Sequence, residues 1–453
     1  MICYPSLKLE PSGRIRGAVA RCVPLGMIPI QLLTALPTAL FLVALLAMLL
    51  RSPDVAFYEV DRIAFGLLVL SVAARALCTR ERLVLQGATW PMIGLTLIAV
   101  ASVIGQPFDS QTWSLLAAKF IVPFTLFHLA SLVFRNEYGL RKFELFALAV
   151  LAYLCFTSIA FLIGANSLIF PRFILDESLG YHVDRARGPF LQAVANGVSI
   201  NLLGLMAVHG YLRGRIRGVK GAVLLASLPI AILATMTRAV WLSFVVSMGF
   251  LMIRSHHRKL RRICISVGLI GVLGLLMILG CGDERRALCS RLKESGPVDF
   301  REAVYSAGWE MFLQKPFMGW GNNQMPAELA RHVSGYNERE LYPHNTYLEL
   351  LVEHGVVGLA LYAWLMWELL KLGRGVIPRA ESAGVLNRDF HAMWPILLAV
   401  YLGNALVVVM NYQFVNGILF TMAGMLAAQQ TRMRRESARD VSQTFSAMVH
   451  STV

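Results

Sequence analysis

His344, Arg187 and Arg238 are the residues whose types and positions best fit a chemical role in this chain. Each lies beside a long apolar run, and His344 directly precedes the run that starts at Asn345. A histidine titrates near neutral pH, and the start of a helix favours its neutral form, which can accept a proton. Arginine suits phosphate because its planar guanidinium group donates paired hydrogen bonds. The pattern predicts a base and two cations that bind a lipid-linked pyrophosphate and assist transfer of the attached group.

Two further polar residues, Asn345 and Lys119, are candidates for substrate binding. Lys119 lies about two helical turns inside an apolar run, where an ionisable side chain is costly and therefore suggests a function. A structural role is open for every candidate as well. Lys119 could pair with a carboxylate, Asn345 could cap a helix, and an arginine at the rim could extend to water. His344 could serve only as a hydrogen-bonding residue at the membrane rim.

The composition indicates a membrane protein and argues against nucleic acid as a partner. Hydrophobic residues make up 57% of the chain and charged residues 15%, with a mean hydropathy of +0.60. A soluble domain has roughly 25% charged residues. The net charge of +15 arises mostly from basic residues in short loops between apolar runs, so it does not form a nucleic-acid surface. The unbroken runs predict an all-α polytopic membrane protein whose partners include membrane lipids.

Hydropathy predicts about twelve transmembrane helices. They lie near residues 25–50, 61–78, 89–105, 113–134, 143–165, 189–212, 221–236, 239–253, 263–280, 345–370, 391–409 and 412–428. Basic residues are concentrated in alternate loops, which by the positive-inside rule are cytoplasmic. Both termini are then cytoplasmic, and His344 lies on the periplasmic side. Within the run that follows His344, Gly355 and Gly358 are expected to permit close helix packing.

This topology divides the chain into five segments. They are a cytoplasmic tail (1–24), nine helices with a periplasmic loop at 166–188 (25–280), a large periplasmic loop domain (281–343), three helices (344–428) and a second cytoplasmic tail (429–453). The large loop contains Cys281 and Cys289. The sequence leaves open whether these two cysteines form a disulfide or stay as two free thiols. Cysteine and histidine spacings show no metal-binding pattern, and phosphate-loop and dinucleotide motifs are absent, so no metal or cofactor is expected.

Four short motifs between Arg187 and Tyr362 resemble those of the O-antigen ligase and O-antigen polymerase superfamily. They are RGPF at Arg187, TMTRAVW at Arg238, KPFMGWGNN in the large loop, and PHNTYLELLVEHGVVGLALY at His344. The hydropathy profile is similar to that of the family over nearly the whole chain. Each motif is short, but the four occur in order and at the expected places in the topology.

The resemblance implies a membrane-embedded, GT-C-like glycosyltransferase that works without a metal ion. Such an enzyme takes a glycan from undecaprenyl pyrophosphate at the periplasmic face of the bacterial inner membrane. A ligase places the glycan on a sugar hydroxyl of lipid A–core, whereas a polymerase adds it to another lipid-linked glycan. By this resemblance Arg187 and Arg238 would bind the donor pyrophosphate, and His344 would be the general base or orient the acceptor. A single displacement would invert the anomeric carbon.

The resemblance leaves alternatives to the ligase-like function open. Ligases and polymerases share these motifs, so a polymerase of lipid-linked repeat units for O-antigen, capsule or exopolysaccharide is the nearest alternative. Relatives once described as bicarbonate transporters share the segment too, which makes a small-solute transporter the alternative from another class. Transporters often contain inverted repeats with broken helices. The sequence shows no convincing repeat, so glycosyl transfer is favoured.

Overall fold

The computed structural model describes residues 2–6, 19–23, 28–51, 58–80, 83–104, 106–180, 183–254, 258–280, 296–322, 324–333, 336, 340–374 and 384–451. The described part of the chain is helical except for loops and one N-terminal strand pair. That pair consists of β1 (Ile2–Ser6) and β2 (Val19–Val23), which are antiparallel, and it lies within the predicted N-terminal tail. Cys281 and Cys289 lie outside the described residues.

The first ten helices, α1 to α10, cover the first nine predicted apolar runs. Their bounds are α1 Ile28–Leu49, α2 Glu59–Thr79, α3 Thr89–Ala101, α4 Ser110–Leu116, α5 Val122–Val133, α6 Glu137–Leu162, α7 Ala193–Leu212, α8 Gly218–Ala234, α9 Arg238–Arg254 and α10 Arg258–Gly280. A single π-helical turn, Ala117–Ile121, joins α4 to α5 so that the two form one continuous rod. Short 3-10 turns lie at Asn166–Leu168, Arg172–Leu175 and Gly188–Phe190.

The remaining helices form the predicted large loop and the C-terminal membrane segment. They are α11 Gly296–Gln314, α12 Met325–His332, α13 Thr346–Leu372, α14 Arg388–Asn404 and α15 Gln413–Ser451. The last of these continues through the described part of the predicted tail. Several helix starts follow from capping side chains: Asp109 caps α4, Asn136 caps α6, Asn345 caps α13 and Asn387 caps α14.

Six of the described helical segments are long and apolar enough to cross a membrane. They are Glu59–Thr79, Ser110–Val133, Glu137–Leu162, Ala193–Leu212, Arg258–Met277 and Thr346–Leu372. Four shorter apolar helices occur at Ala35–Leu49, Thr89–Ala101, Gly218–Ala234 and Arg238–Ile253. The all-helical class is therefore confirmed, the six long apolar segments are consistent with a membrane protein, and each predicted run coincides with a helix. Twelve crossings, their orientation and a periplasmic location for the large loop stay predictions.

Burial separates central helices from peripheral ones. In an apolar 18-residue stretch of α7, 94% of the residues are buried. This helix therefore lies inside the bundle and has little surface for lipid. In α2 and α10 the corresponding shares are 17% and 22%, which places these helices at the periphery. The helix pairs α5 with α15, α1 with α2 and α6 with α8 are among the most extensively packed. Phe124 and Phe420 pack edge to face between α5 and α15, with ring centroids 5.2 Å apart.

The helices α11 and α12 form a small cap with its own apolar core. Val304 and Met311 of α11 pack against Met325 and Leu329 of α12. The same core includes Val352 of α13, which joins the cap to the membrane helix. The predicted loop domain is thus an ordered pair of helices over much of residues 296–333. The cap therefore contacts the helix that follows His344 in the chain.

Candidate functional site

His344 occupies a strained backbone position at the start of α13. Its φ angle is +48°, in the left-handed region that residues other than glycine seldom adopt. The next residue, Asn345, caps the helix because its side-chain oxygen accepts hydrogen bonds from the backbone N–H groups of Tyr347 and Leu348, at 3.0 and 3.2 Å. The cap fixes where α13 begins, and His344 lies in the turn directly before it. The side chain is exposed and open to a substrate.

Arg301, on α11 of the cap, acts electrostatically on His344. Surrounding protein atoms that displace water lower the pKa of the His344 imidazole below its ordinary value, and the positive charge of Arg301 lowers it further. A lowered pKa keeps the ring neutral at pH 7, which is the form that can accept a proton. Arg301 is itself exposed. No sequence motif singles out Arg301, because only the folded cap brings it near His344.

Arg238 is the first residue of α9 and is exposed. The turn before it is tight: Met236 has a φ angle of +46°, and the Thr237 hydroxyl donates to the carbonyl of Thr235 at 2.8 Å. The indole N–H of Trp241 donates to the carbonyl of Ile232 at 2.9 Å, which ties the first turn of α9 to the last turns of α8. The TMTRAVW motif therefore builds a rigid corner that holds Arg238 at the end of the bundle.

Arg187 is almost completely buried, at 1% exposure, and its guanidinium group is surrounded by backbone carbonyls. Its Nε donates to Ile174 at 3.0 Å, and its two terminal nitrogens donate to the carbonyls of Asp176 and Leu179. Arg187 thus holds the loop between α6 and α7 in place. The predicted contact with the donor pyrophosphate stays a prediction, and the observed contacts give this residue a positioning role.

The motif segments meet at one end of the bundle, around the turn between α14 and α15. The Thr346 N–H donates to Ala405 at 2.8 Å, and its hydroxyl donates to Val408 at 2.8 Å and accepts from the Met410 N–H at 3.0 Å. These bonds fasten the start of α13, and with it His344, to residues 405–410.

The other two arginine segments join the same end. Phe190, which follows Arg187, packs against Phe414 at the start of α15, with ring centroids 5.9 Å apart. The N–H of Ala186 donates to the carbonyl of Ala234 at 3.0 Å, which ties the Arg187 loop to the corner that precedes Arg238. Arg187, Arg238 and His344 therefore belong to segments that converge on one end of the molecule, with Arg187 turned inward and the other two exposed.

Lys119 forms ion pairs with two carboxylates of α13. Its ammonium nitrogen lies 2.8 Å from an oxygen of Glu349 and 3.0 Å from an oxygen of Glu353, and all three side chains are at most 7% exposed. The amide of Asn322, from the KPFMGWGNN segment, donates to Glu353 at 3.2 Å. Pairing with carboxylates was the alternative considered for Lys119, and it is the arrangement observed. Substrate binding by Lys119 stays a prediction.

Gly355 interrupts α13, a feature that the expectation of close helix packing did not include. Its φ and ψ angles are +64° and −164°, which split the helix into two parts. The KPFMGWGNN segment supplies the missing hydrogen bonds, with Val356 N–H donating to Pro316 and Trp320 N–H donating to Val352, both at 2.8 Å. A Cβ at Gly355 would lie 2.2 Å from the carbonyl oxygen of Phe317. The residue must therefore be glycine, because loop and helix touch there through their backbones.

The described residues contain no cluster of three or more histidine, cysteine, aspartate or glutamate side chains placed to hold a metal ion. Activity without a metal stays a prediction. The exposed groups at this end of the bundle include the imidazole of His344 and the guanidinium groups of Arg238 and Arg301. An imidazole can accept a proton, and guanidinium groups can bind phosphate.

A comparison with protein families finds a match over part of the chain. Residues 221–363 match a family model described as O-antigen ligase. The matched segment contains Arg238, Arg301, His344 and the break at Gly355, whereas Lys119 lies outside it. No curated protein matches the chain. The match supports the motif-based assignment of this chain to the O-antigen ligase superfamily, whose members include ligases and polymerases of lipid-linked glycans.

Proposed function

We propose that this protein is a membrane glycosyltransferase that moves a glycan from undecaprenyl pyrophosphate to a sugar hydroxyl of its acceptor at the periplasmic face. The observation that carries the proposal is His344: an exposed imidazole with a lowered pKa, held at a strained turn beside Arg301, inside the segment that matches O-antigen ligase. Strained backbone at an exposed titratable residue is typical of functional sites.

In this reaction His344 accepts the proton of the acceptor hydroxyl as its oxygen attacks the anomeric carbon. The bond between that carbon and the pyrophosphate oxygen breaks, and the electron pair leaves with undecaprenyl pyrophosphate. Arg238 and Arg301 stabilise the negative charge that develops on the leaving group. One displacement forms one glycosidic bond and inverts the anomeric configuration. Asn345 supports the reaction by fixing the turn that orients His344.

The proposal assigns different tasks to the remaining candidates. Arg187 maintains the α6–α7 loop through its backbone carbonyl contacts, and Lys119 forms ion pairs with Glu349 and Glu353 of α13. Direct contact of Arg187 or Lys119 with the donor stays a prediction. Lipid A–core is the acceptor we propose, with a second lipid-linked glycan as the alternative for a polymerase.

The test is glycan transfer by the purified protein from a lipid-linked donor. His344→Ala is expected to lower the rate by 10²–10⁴-fold, roughly the contribution of a general base. Arg238→Lys should also be poor because a single ammonium cannot reproduce a two-point contact with phosphate. His332→Ala, a half-buried histidine on α12 of the cap, is the matched control and should retain activity. Transfer at the normal rate by His344→Ala would remove this residue from the mechanism.

The products in cells lacking the protein separate the two glycosyltransferase functions. Accumulation of lipid-linked polymer that is never attached to an acceptor indicates a ligase. Attachment of single repeats only indicates a polymerase. The break in α13 and the buried ionisable cluster beside it are features also found in transporters. Solute flux into proteoliposomes in the absence of any glycan donor would favour that alternative.

A further inference from the structure

A cleft lies at the far end of α13 from His344. Its volume is about 550 Å³, and its walls come from the residues before α3, the end of α13 and the middle of α15. The helix α13 is broken at Gly355, and the 17 residues beyond the break span roughly 26 Å. This length is close to the hydrocarbon thickness of a bilayer, about 30 Å. In the topology predicted from the sequence, the cleft then lies at the cytoplasmic face and His344 at the periplasmic face.

The cleft has an excess of positive charge. Lys371 and Arg374 at the end of α13 and Arg434 on α15 line it, and Glu368 is the carboxylate among its lining residues. Three cations and one carboxylate leave a formal charge of +2. Glu368 already accepts hydrogen bonds from Lys371 at 2.6 Å and from the indole of Trp364 at 3.1 Å. Arg374 and Arg434 are both exposed and remain accessible to an anion.

Hydrogen bonds between neutral groups hold the walls of the cleft. The side-chain amide of Gln430 donates to the carbonyl of Leu372 at 2.9 Å, which caps the end of α13. The amide of Gln86 donates to the hydroxyl of Thr431 at 2.7 Å and connects the segment before α3 to α15. These two wall contacts use none of the basic side chains of the cleft.

The rim of the cleft continues the lipid-facing surface of α13. Trp364, Trp367 and Lys371 are spaced by three and four residues, so they lie on one helix face, and all three are exposed. Trp90 at the start of α3 is 57% exposed near the same end. Tryptophan is enriched where a membrane helix meets the headgroup layer. An acyl chain lying along this face would place its headgroup at the basic side chains.

We propose that this cleft binds the phosphate headgroup of an anionic glycerophospholipid, in the leaflet opposite to His344. Arg374 and Arg434 contact the phosphate, and Trp364 and Trp367 contact the glycerol and the upper acyl chains. The group that the cleft recognises is a phosphate oxyanion, which a lipid headgroup and a free phosphate ion both carry. The continuity of the cleft with the lipid-facing surface favours the lipid over the free ion.

The test compares two double variants of the full-length protein in a neutral detergent. Arg374→Gln/Arg434→Gln removes two cations from the cleft, whereas Arg432→Gln/Arg435→Gln removes two cations from α15 that do not line it. Native mass spectrometry measures retention of phosphatidylglycerol, phosphatidylcholine and inorganic phosphate. A basic side chain near an anionic headgroup strengthens binding roughly fivefold, so the cleft variant should bind phosphatidylglycerol about 25-fold more weakly. The control should stay within about twofold.

Three results would overturn the proposal. They are equal retention of phosphatidylcholine and phosphatidylglycerol, an equal loss in the two double variants, and displacement of phosphatidylglycerol by inorganic phosphate. If the cleft variant fails to fold, the single change Arg434→Gln on the exposed surface of α15 still tests the idea. It should lower phosphatidylglycerol binding about fivefold, and unchanged binding would count against the site.

Discussion

Lys119→Met tests whether the buried lysine is structural or binds substrate. Lys119 carries a formal charge of +1 against −2 for its ion-pair partners Glu349 and Glu353, so the cluster has a net formal charge of −1. The substitution changes this to −2 in a region where all three side chains are at most 7% exposed. Breaking a buried ion pair on one side typically costs 3–5 kcal/mol. We expect a loss of about this size in the free energy of unfolding.

The double variant Lys119→Met/Glu349→Gln should recover part of that loss. It returns the net formal charge of the cluster to −1 and should regain about 2 kcal/mol, roughly half of the destabilisation. The assay is denaturant-induced unfolding in detergent micelles, with donor binding measured on the same samples. Lys142→Met, an exposed lysine on α6, is the matched control and should change stability by less than about 0.5 kcal/mol. Normal stability of Lys119→Met together with lost donor binding would refute the structural role.

The remaining predictions concern the break in α13, the base and the buried arginine. Gly355→Ala should destabilise the protein by about 2–5 kcal/mol, since the Cβ would contact the loop backbone and the φ angle is +64°. Gly249→Ala, in open space within α9, should be neutral or stabilising in the same unfolding assay. Arg301→Gln should raise the pKa of His344, because Arg301 lowers it, so the rising limb of the pH–rate profile should move to higher pH. An unchanged or lower midpoint would contradict this coupling. Arg187→Lys should speed proteolytic cleavage in the 172–180 loop, since one ammonium cannot hold the three carbonyls, and an unchanged cleavage rate would argue against the positioning role.

Local sequence signals predicted the helices well, because an apolar run and a capping residue act through their neighbours in the chain. Each apolar run coincides with a helix, and Asn345 caps α13 as its residue type suggested. The same pattern predicted that Arg238 and His344 lie at helix starts, and Arg238 begins α9 while His344 lies just before α13. These features depend on hydrophobic length and on the residues next to each helix start. Neither requires knowledge of a distant segment.

The features that the sequence could not predict depend on contacts between distant segments. The rim position of Arg187 stays a prediction, and the partners that its guanidinium group has in the structure are carbonyls of Ile174, Asp176 and Leu179, whose positions depend on the fold of the loop. Gly355 looked like a packing glycine because nothing in its own run shows that a loop about 40 residues earlier touches it. Arg301 likewise lies about 40 residues before His344 and reaches it only through the folded cap.

The break at Gly355 gives a physical reason for placing the base on α13. Because the helix is interrupted there, the part from Thr346 to His354 need not follow the axis of the longer membrane part. This short part is hydrogen-bonded to the cap loop, because the Gly321 N–H donates to the backbone carbonyl of Glu353 at 2.8 Å. Val352 of the same part packs in the cap core. The cap and the first turns of α13 therefore form one unit that carries both Arg301 and His344. A change that loosens the loop against Gly355 should then alter the pKa of His344 without touching either side chain, and this links the stability of the break to the chemistry of the site.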